Sequence, residues 1–393
     1  MERRTFLWTL GAAALAVRAG RAWGASPPAP DARLLVVFLR GGLDGASALV
    51  PWASPAYFEA RPNIAVPPPG AGGAAAAVRL DADWALHPAL AGPLRPLWDR
   101  GELALVPFFG TPDLSRSHFE TQELIESGEP PGHGGREDGS GFLGRLAEAL
   151  GGARPIAFTD RLPRALSGPL LVPNVSLKQV GKPGFDERQA AILTEMYRGS
   201  SLERAVAEGL QLEREVQRDL EPGEASRNAI SAKGFELEAL RMAVMMRDRF
   251  DLGFIDVGGW DTHVNQPGTL GPGLDGLGKG LAALAGSLGV AWRRTVVVVM
   301  SEFGRTFREN GGRGTDHGHG GVAMVMGGGV RGGRVAGRQV AVGRETLFQD
   351  RDLPVLNDVR EVLGGLFRRL YGLNDGALAR IFPEARPADL GLL

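Results

Sequence analysis

The residues best suited to chemistry gather between Thr295 and Gly321, in the run TVVVVMSEFGRTFRENGGRGTDHGHGG. Glu302 follows closely on an apolar run of valines, and Asp316, His317 and His319 come next on a glycine-rich loop. Carboxylate oxygens and imidazole nitrogens presented together are the donors that zinc, manganese or calcium takes. Two further places repeat the pattern: Asp261 and His263 in GGWDTHVNQ, and Asp44 in RGGLDG. A fourth group runs from Thr111 through Ser115, Arg116, Ser117 and His118. Its hydroxyls stand at an expected helix start, where backbone N–H groups and the helix dipole lower the cost of an alkoxide. Each group also has a structural reading. Asp44, Ser115 and Ser117 are good N-caps, and the acids together can serve simply to hold strand-end loops.

These groups share an expected position. The valines 296–299 are too apolar for a half-exposed strand and read as a central strand buried on both faces of a parallel sheet. Residues 33–39 (RLLVVFL), 103–109 and 252–257 read as further strands, and 322–326 as another. Short hairpin strands are expected in 329–343. Helices are expected at 87–98, from 119 to 127, at 187–198, 202–220, 229–249, 280–288 and 358–371, with charged residues alternating at helical spacing in the middle of the chain. Ligands in open α/β sheets bind beyond the carboxyl ends of the strands. Asp44, Asp261, Glu302 and the serine segment each fall just past such an end. No internal repeat or clear linker appears, so residues 26–393 read as a single domain.

Composition narrows the partners. The 393 residues carry a formal net charge of −1, which offers no basic field for nucleic acid or an anionic membrane. Cysteine is absent, which excludes disulfides, thiolate metal sites and cysteine nucleophiles. Arg3 and Arg4 precede Phe6 and Leu7, an alanine-rich apolar run and the small-residue site Ala22-Trp23-Gly24. Residues 1–25 therefore read as a secretory signal of the twin-arginine form. The twin-arginine translocase is then an expected partner, and the mature protein is expected in the periplasm or outside the cell. No stretch reaches the ~20 apolar residues of a membrane span.

Taken in order, RRTFL, FLRGGLDGASALVPW, SRSHFETQELIESG, GGWDTHVNQ, SEFGRT and GTDHGHGG resemble one family. It is an uncharacterised family of twin-arginine-exported bacterial proteins related to sulfatases, in the alkaline phosphatase-like superfamily. The resemblance implies a three-layer α/β/α sandwich with a mostly parallel central sheet and a metal site at the strand C-termini. It matches Asp44 to the first metal-binding acid, Asp261 and His263 to the second cluster, and Glu302 to the acid of a Ser-Asp-His-Gly motif. Phe303 stands in that motif's histidine position and cannot ligate, so Asp316 and His317 would supply the missing ligand, with His319 a further candidate. Residues 112–116 are similar to the sulfatase Pro-x-Ser-Arg but out of register. The nucleophile is then expected to be a plain alkoxide of Ser117 or Thr111, with Ser47 an outside candidate, His118 beside them, and Arg116 or Arg305 gripping the ester oxygens. The expected function is an exported hydrolase of small anionic phosphate or sulfate esters, using one or two divalent ions (zinc, calcium or manganese). The alternative is a catalytically inactive exported binding or scaffold protein that keeps the fold.

Overall fold

Period-two alternation along the central strands divides the interior into two cores. In the first strand, Arg33–Arg40, Leu35, Val37 and Leu39 join one buried cluster, and Leu34, Val36 and Phe38 join the other. The valine strand, Thr295–Ser301, splits the same way, Val297 and Val299 against Val296, Val298 and Met300. A strand with apolar residues on both faces must lie in the middle of a covered sheet. One face is covered by helices Pro88–Asp99, Phe235–Asp248 and Gln266–Leu288, the other by Phe142–Leu150, Val359–Tyr371 and Asp375–Ile381. The result is a three-layer α/β/α sandwich.

The computed structural model describes residues 31–132, 139–177, 187–200, 203, 206–207, 210–211 and 234–393. The signal read at 1–25 and most of the helix expected at 202–220 lie outside the described residues. Among the described residues, no helix is long and apolar enough to cross a membrane.

The eight-stranded sheet runs in the order Arg334–Val335, Leu103–Gly110, Gly321–Met326, Thr295–Ser301, Arg33–Arg40, Leu252–Gly258 and Pro155–Ala157, with Asn357–Asp358 also paired to Leu103–Gly110. The first strand is parallel to both its neighbours, with Leu39 opposite both Ser301 and Val257. That register brings Gly41, Glu302 and Gly259 out at the same edge. Gly321–Met326 is antiparallel to both neighbours, so the sheet is mixed. The glycine-rich 302–320 segment returns the chain beside the valine strand without the helical crossover a parallel partner would need. The hairpin expected in 329–343 is replaced by one short strand, Arg334–Val335, parallel to Leu103–Gly110.

The helix expected at 280–288 extends over Gln266–Leu288. Its glycines lower helix propensity, yet two of them are required by packing. A Cβ at Gly278 would lie 2.5 Å from Pro93 Cγ, and one at Gly280 would lie 2.3 Å from the Phe235 ring. Tertiary contact therefore outweighs local preference.

Candidate metal centre

Glu302 leaves the valine strand into complete burial. Its Oε1 accepts hydrogen bonds at 2.8 Å from the Gly41 backbone N–H and from Gln122 Nε2, and lies 2.8 Å from His118 Nδ1. His118 opens the helix His118–Ser127, for which Ser117 is the N-cap. Gln122 comes one turn later on the same face. Burial alone would raise the Glu302 pKa, but these donors hold it below the ordinary carboxylate value. The hydrogen bond to Glu302, reinforced by its charge, raises the His118 pKa against the effect of burial.

Hydrogen-bond geometry then assigns the imidazole protons. Ionised Glu302 accepts a hydrogen bond from His118 Nδ1–H. His118 Nε2 keeps its lone pair, and this nitrogen is buried with no hydrogen-bond partner. It lies 3.6 Å from Asp261 Oδ2. His317 Nδ1 sits 2.8 Å from the Arg116 carbonyl oxygen, which can only accept, so its Nε2 is also left with a lone pair, 3.3 Å from Asp261 Oδ1. His263 Nδ1 lies 3.0 Å from Asp316 Oδ1, and its Nε2 lies 2.9 Å from Asp261 Oδ1. Three imidazoles thus turn Nε2 towards Asp261 while an oxygen acceptor holds each Nδ1.

His263 Nε2 and His317 Nε2 are 3.1 Å apart. Two lone pairs so close repel unless a proton or a cation lies between them. Two nitrogens bound tetrahedrally at the usual zinc distance stand about 3.3–3.4 Å apart. The donor atoms of His118, Asp261 and His317 all fall within 4.8 Å of one another, so this cluster can hold a metal ion. A histidine with a carboxylate behind Nδ1 and its Nε2 directed at a second carboxylate has the arrangement of a metal ligand.

Neighbouring residues fix the cluster in place. Phe303 packs against His118 and His317, ring centroids 5.0 and 4.9 Å away. The phenylalanine in the expected histidine position is therefore a wall for two imidazoles. Arg305 is buried and spends its guanidinium on Asp261 Oδ1 (2.8 Å) and the Thr315 carbonyl (2.5 Å). Burial would raise the Asp261 pKa, but Arg305, with His263 and His118, holds it below the ordinary value. Gly41 has φ +124°, and a Cβ there would lie 2.6 Å from the Asp261 backbone nitrogen. Only glycine lets the first strand's exit pass so close to Asp261.

The other expected residues sit differently. Asp44 is fully buried, and its oxygens receive Arg61 Nη1 (2.5 Å), Arg61 Nη2 (3.0 Å) and Gln266 Nε2 (2.6 Å). The acid expected as the first ligand is committed to a buried ion pair. Ser47 accepts from the same Arg61 at 2.9 Å. Glu302 was expected as a ligand and His118 as the neighbour of a nucleophile. In the structure His118 faces the cluster and Glu302 stands behind it. Asp316 carries His263 Nδ1 and an Asn310 amide. His319 packs on Phe348 at 4.8 Å, and burial lowers its pKa. Thr111 is buried, its Oγ1 3.5 Å from Asp113 N. Ser117 Oγ caps Glu120 N at 3.4 Å, and Ser115 Oγ donates to Asp113 at 2.7 Å. Arg116 is bound to Asp352 at 2.8 Å, and neither it nor Arg305 is a free anion fork.

Sequence reasoning missed Gln122, Arg61, Gln266 and Asn310. Gln122 had one available signal, its position four residues after His118 on a predicted helix. Glu302→Gln keeps the shape but removes the charge behind His118. Metal affinity is expected to fall about 10–100-fold, read by competition with a chromophoric chelator. Without metal, the His118 pKa is expected to drop towards the ordinary imidazole value in an NMR titration. An unchanged affinity would show that Glu302 does not act through His118.

The family profile described as "Protein of unknown function (DUF1501)" matches residues 107–382. None of the curated proteins matches this sequence. Among solved structures, the chain is similar to a protein in the alkaline phosphatase superfamily from Vibrio parahaemolyticus, with 11% identity and TM-score 0.38 over 83% of this chain and 69% of that one. It is similar to phosphonoacetate hydrolase from Sinorhizobium meliloti, with 19% identity and TM-score 0.31 over 71% of this chain and 57% of that one. A third similarity is to alkaline phosphatase from the Antarctic bacterium TAB5, with 10% identity and TM-score 0.33 over 76% of this chain and 92% of that one.

Proposed function

The chain belongs to the DUF1501 family of proteins of unknown function, and on that premise we propose that it is an exported metal-dependent hydrolase of phosphate or sulfate esters. The observation that carries this reading is the buried, unpartnered Nε2 of His118, aimed at Asp261 with Glu302 behind it. His118, Asp261 and His317 would hold the ion, with His263 alongside. A divalent ion bound there supplies Lewis acidity and neutralises negative charge developing on an ester oxygen. Zinc suits a set of imidazoles and one carboxylate better than calcium does.

The protein's own groups have separable tasks. Glu302, the Arg116 carbonyl and Asp316 keep the three imidazoles in the Nδ1–H form, so that Nε2 stays available. Arg305 fixes the Asp261 carboxylate and, buried with all three of its nitrogens bonded within the protein, offers no competing site to the substrate. Phe303 excludes water from one side of the cluster. Ser117, half-buried and immediately before His118, is the proposed nucleophile; Thr111 is too enclosed to meet an ester. The Ser117 hydroxyl stands at the start of a ten-residue helix, where the dipole favours the alkoxide.

A panel of phosphate and sulfate monoesters and diesters, assayed on the metal-loaded protein and on Ser117→Ala, tests the reading. Parent turnover is expected, with kcat falling about 100-fold or more in Ser117→Ala while metal content stays unchanged. Turnover equal in both would assign the attack to water instead. A second reading, a metal-binding protein without turnover, is favoured by the commitment of Arg116 and Arg305 to carboxylates. A metal-loaded parent inert across the panel would select it. Export by the twin-arginine route completes the proposal. Arg3→Lys with Arg4→Lys should then retain the protein in the cytoplasm.

A further inference from the structure

Asp352 belongs to none of the motifs, yet its side chain has no exposure at all. It accepts from Arg116 Nη2 at 2.8 Å and Nε at 3.2 Å, and from Arg351 Nη1 at 3.0 and 3.2 Å. Both arginines also touch His317. The Arg116 carbonyl accepts a hydrogen bond from His317 Nδ1–H at 2.8 Å, and Arg351 Nη2 donates to the His317 carbonyl at 2.9 Å. Arg116 Nη2 reaches Gln349 Oε1 as well, at 2.9 Å. Arg116, Gln349 and Asp350 are all non-glycine residues in the left-handed region, with φ of +51°, +54° and +53°. Such conformations persist where surrounding contacts over-determine them, and Arg116 is held by Asp352 and Gln349.

We propose that Asp352 is a positioning residue, which clamps Arg116 and Arg351 so that the Arg116 carbonyl fixes the ring and tautomer of His317. The left-handed turn at Arg116 aims its carbonyl at the imidazole, and the ion pair to Asp352 holds that turn. Without the clamp, His317 Nδ1–H loses its acceptor. The ring is then free to rotate or change tautomer, and Nε2 no longer faces Asp261. Segment 348–352 thus serves as a back wall of the metal centre, an inference that rests on the metal reading above.

The test compares Asp352→Asn with the parent by two readouts. The first is zinc affinity, measured by chelator competition. The second is the tautomer of His317 in the metal-free protein, read from long-range 1H–15N correlations of 15N-histidine-labelled material and assigned with His317→Gln. Asp352→Asn is expected to weaken zinc binding about 10–100-fold and to shift His317 from the pure Nδ1–H form to a mixture. Asp251→Asn is the control. That acid is also buried and paired with an arginine, Arg154 at 2.9 Å, but stands before the Leu252–Gly258 strand at the opposite edge of the sheet. It is expected to lower the melting temperature and leave both readouts unchanged. If Asp352→Asn does not fold, Arg351→Gln, which removes one arm of the clamp, should shift both readouts the same way by a smaller amount. Unchanged tautomer and affinity in a folded Asp352 variant, or an equal change in the Asp251 control, would overturn the proposal. A parent that binds no zinc would remove the metal reading, and the tautomer alone would then decide whether the clamp exists.

Discussion

Asp261→Ala should weaken metal binding severely and lower any ester turnover with it, because one carboxylate is the point on which three imidazoles converge. Structural zinc sites bind with about 10–16 kcal/mol in total, so one ligand of four is worth about 2.5–4 kcal/mol, on the order of a 10²–10³-fold loss in affinity. His118→Ala and His317→Ala should fall in the same range. Asp316→Ala, which removes only the acceptor behind His263, should cost about tenfold. Elemental analysis of protein purified without chelators, followed by competition titration, measures the gradient. Equal losses at Asp316 and Asp261 would mean that position relative to the cluster is irrelevant. A parent that takes up no divalent ion at all would leave the acids and histidines as a hydrogen-bonded scaffold.

Arg61→Met should lower stability by about 3–5 kcal/mol, the usual consequence of leaving a buried charge without its partner. Arg61 has no exposure, and all five of its N–H donors are used. Nε donates to the Phe307 carbonyl, Nη1 to Asp44 and Ser47, and Nη2 to Asp44 and the Thr306 carbonyl. Lysine has three donors and no fork, so Arg61→Lys should recover only part of the loss. The double variant Arg61→Met with Asp44→Asn should be more stable than Arg61→Met alone, since no unpaired charge is then left inside. Urea denaturation with unchanged slope would check all three. Arg61→Met as stable as the parent would show that the pair contributes nothing.

The same pair sets an acid limit. Burial would raise the Asp44 pKa, but Arg61, with Ser47 and Gln266, depresses it overall. A depressed folded-state pKa gives stability that is fully present above the unfolded carboxylate value. It is lost as pH falls below about 4 towards the folded value. Arg61 also binds the carbonyls of the two residues after Arg305. Loosening this pair should therefore reach the metal centre through Arg305 and Asp261.

The departures from expectation at the site have physical causes. Glu302, expected as a ligand, is enclosed by three donors because the strand register places Gly41 beside it and the His118–Ser127 helix lies over it. Asp44 lies just past the first strand as expected, but the chain there turns into Gly45–Ala48 and meets Arg61 instead of the cluster. Nothing local to either segment signals these encounters. Arg61 lies 17 residues from Asp44, and Gln266 lies 222 residues from it.

Sequence alone determined that the central strands are covered on both faces, because unbroken apolar runs are local signals of how many faces a strand must bury; the three-layer sandwich was implied by the family resemblance. Sequence also determined that acids and histidines would gather past strand ends, since glycine-flanked exits from buried strands mark the edge where side chains of different strands meet. Only the tertiary structure decided which donors face one another. Whether an acid ligates, orients a histidine or neutralises an arginine depends on partners distant in sequence, as with Asp261 and Arg305, Glu302 and His118, Asp44 and Arg61. Those pairings are set by register, by backbone approach at Gly41 and by helix placement. They become fixed only when the layers pack.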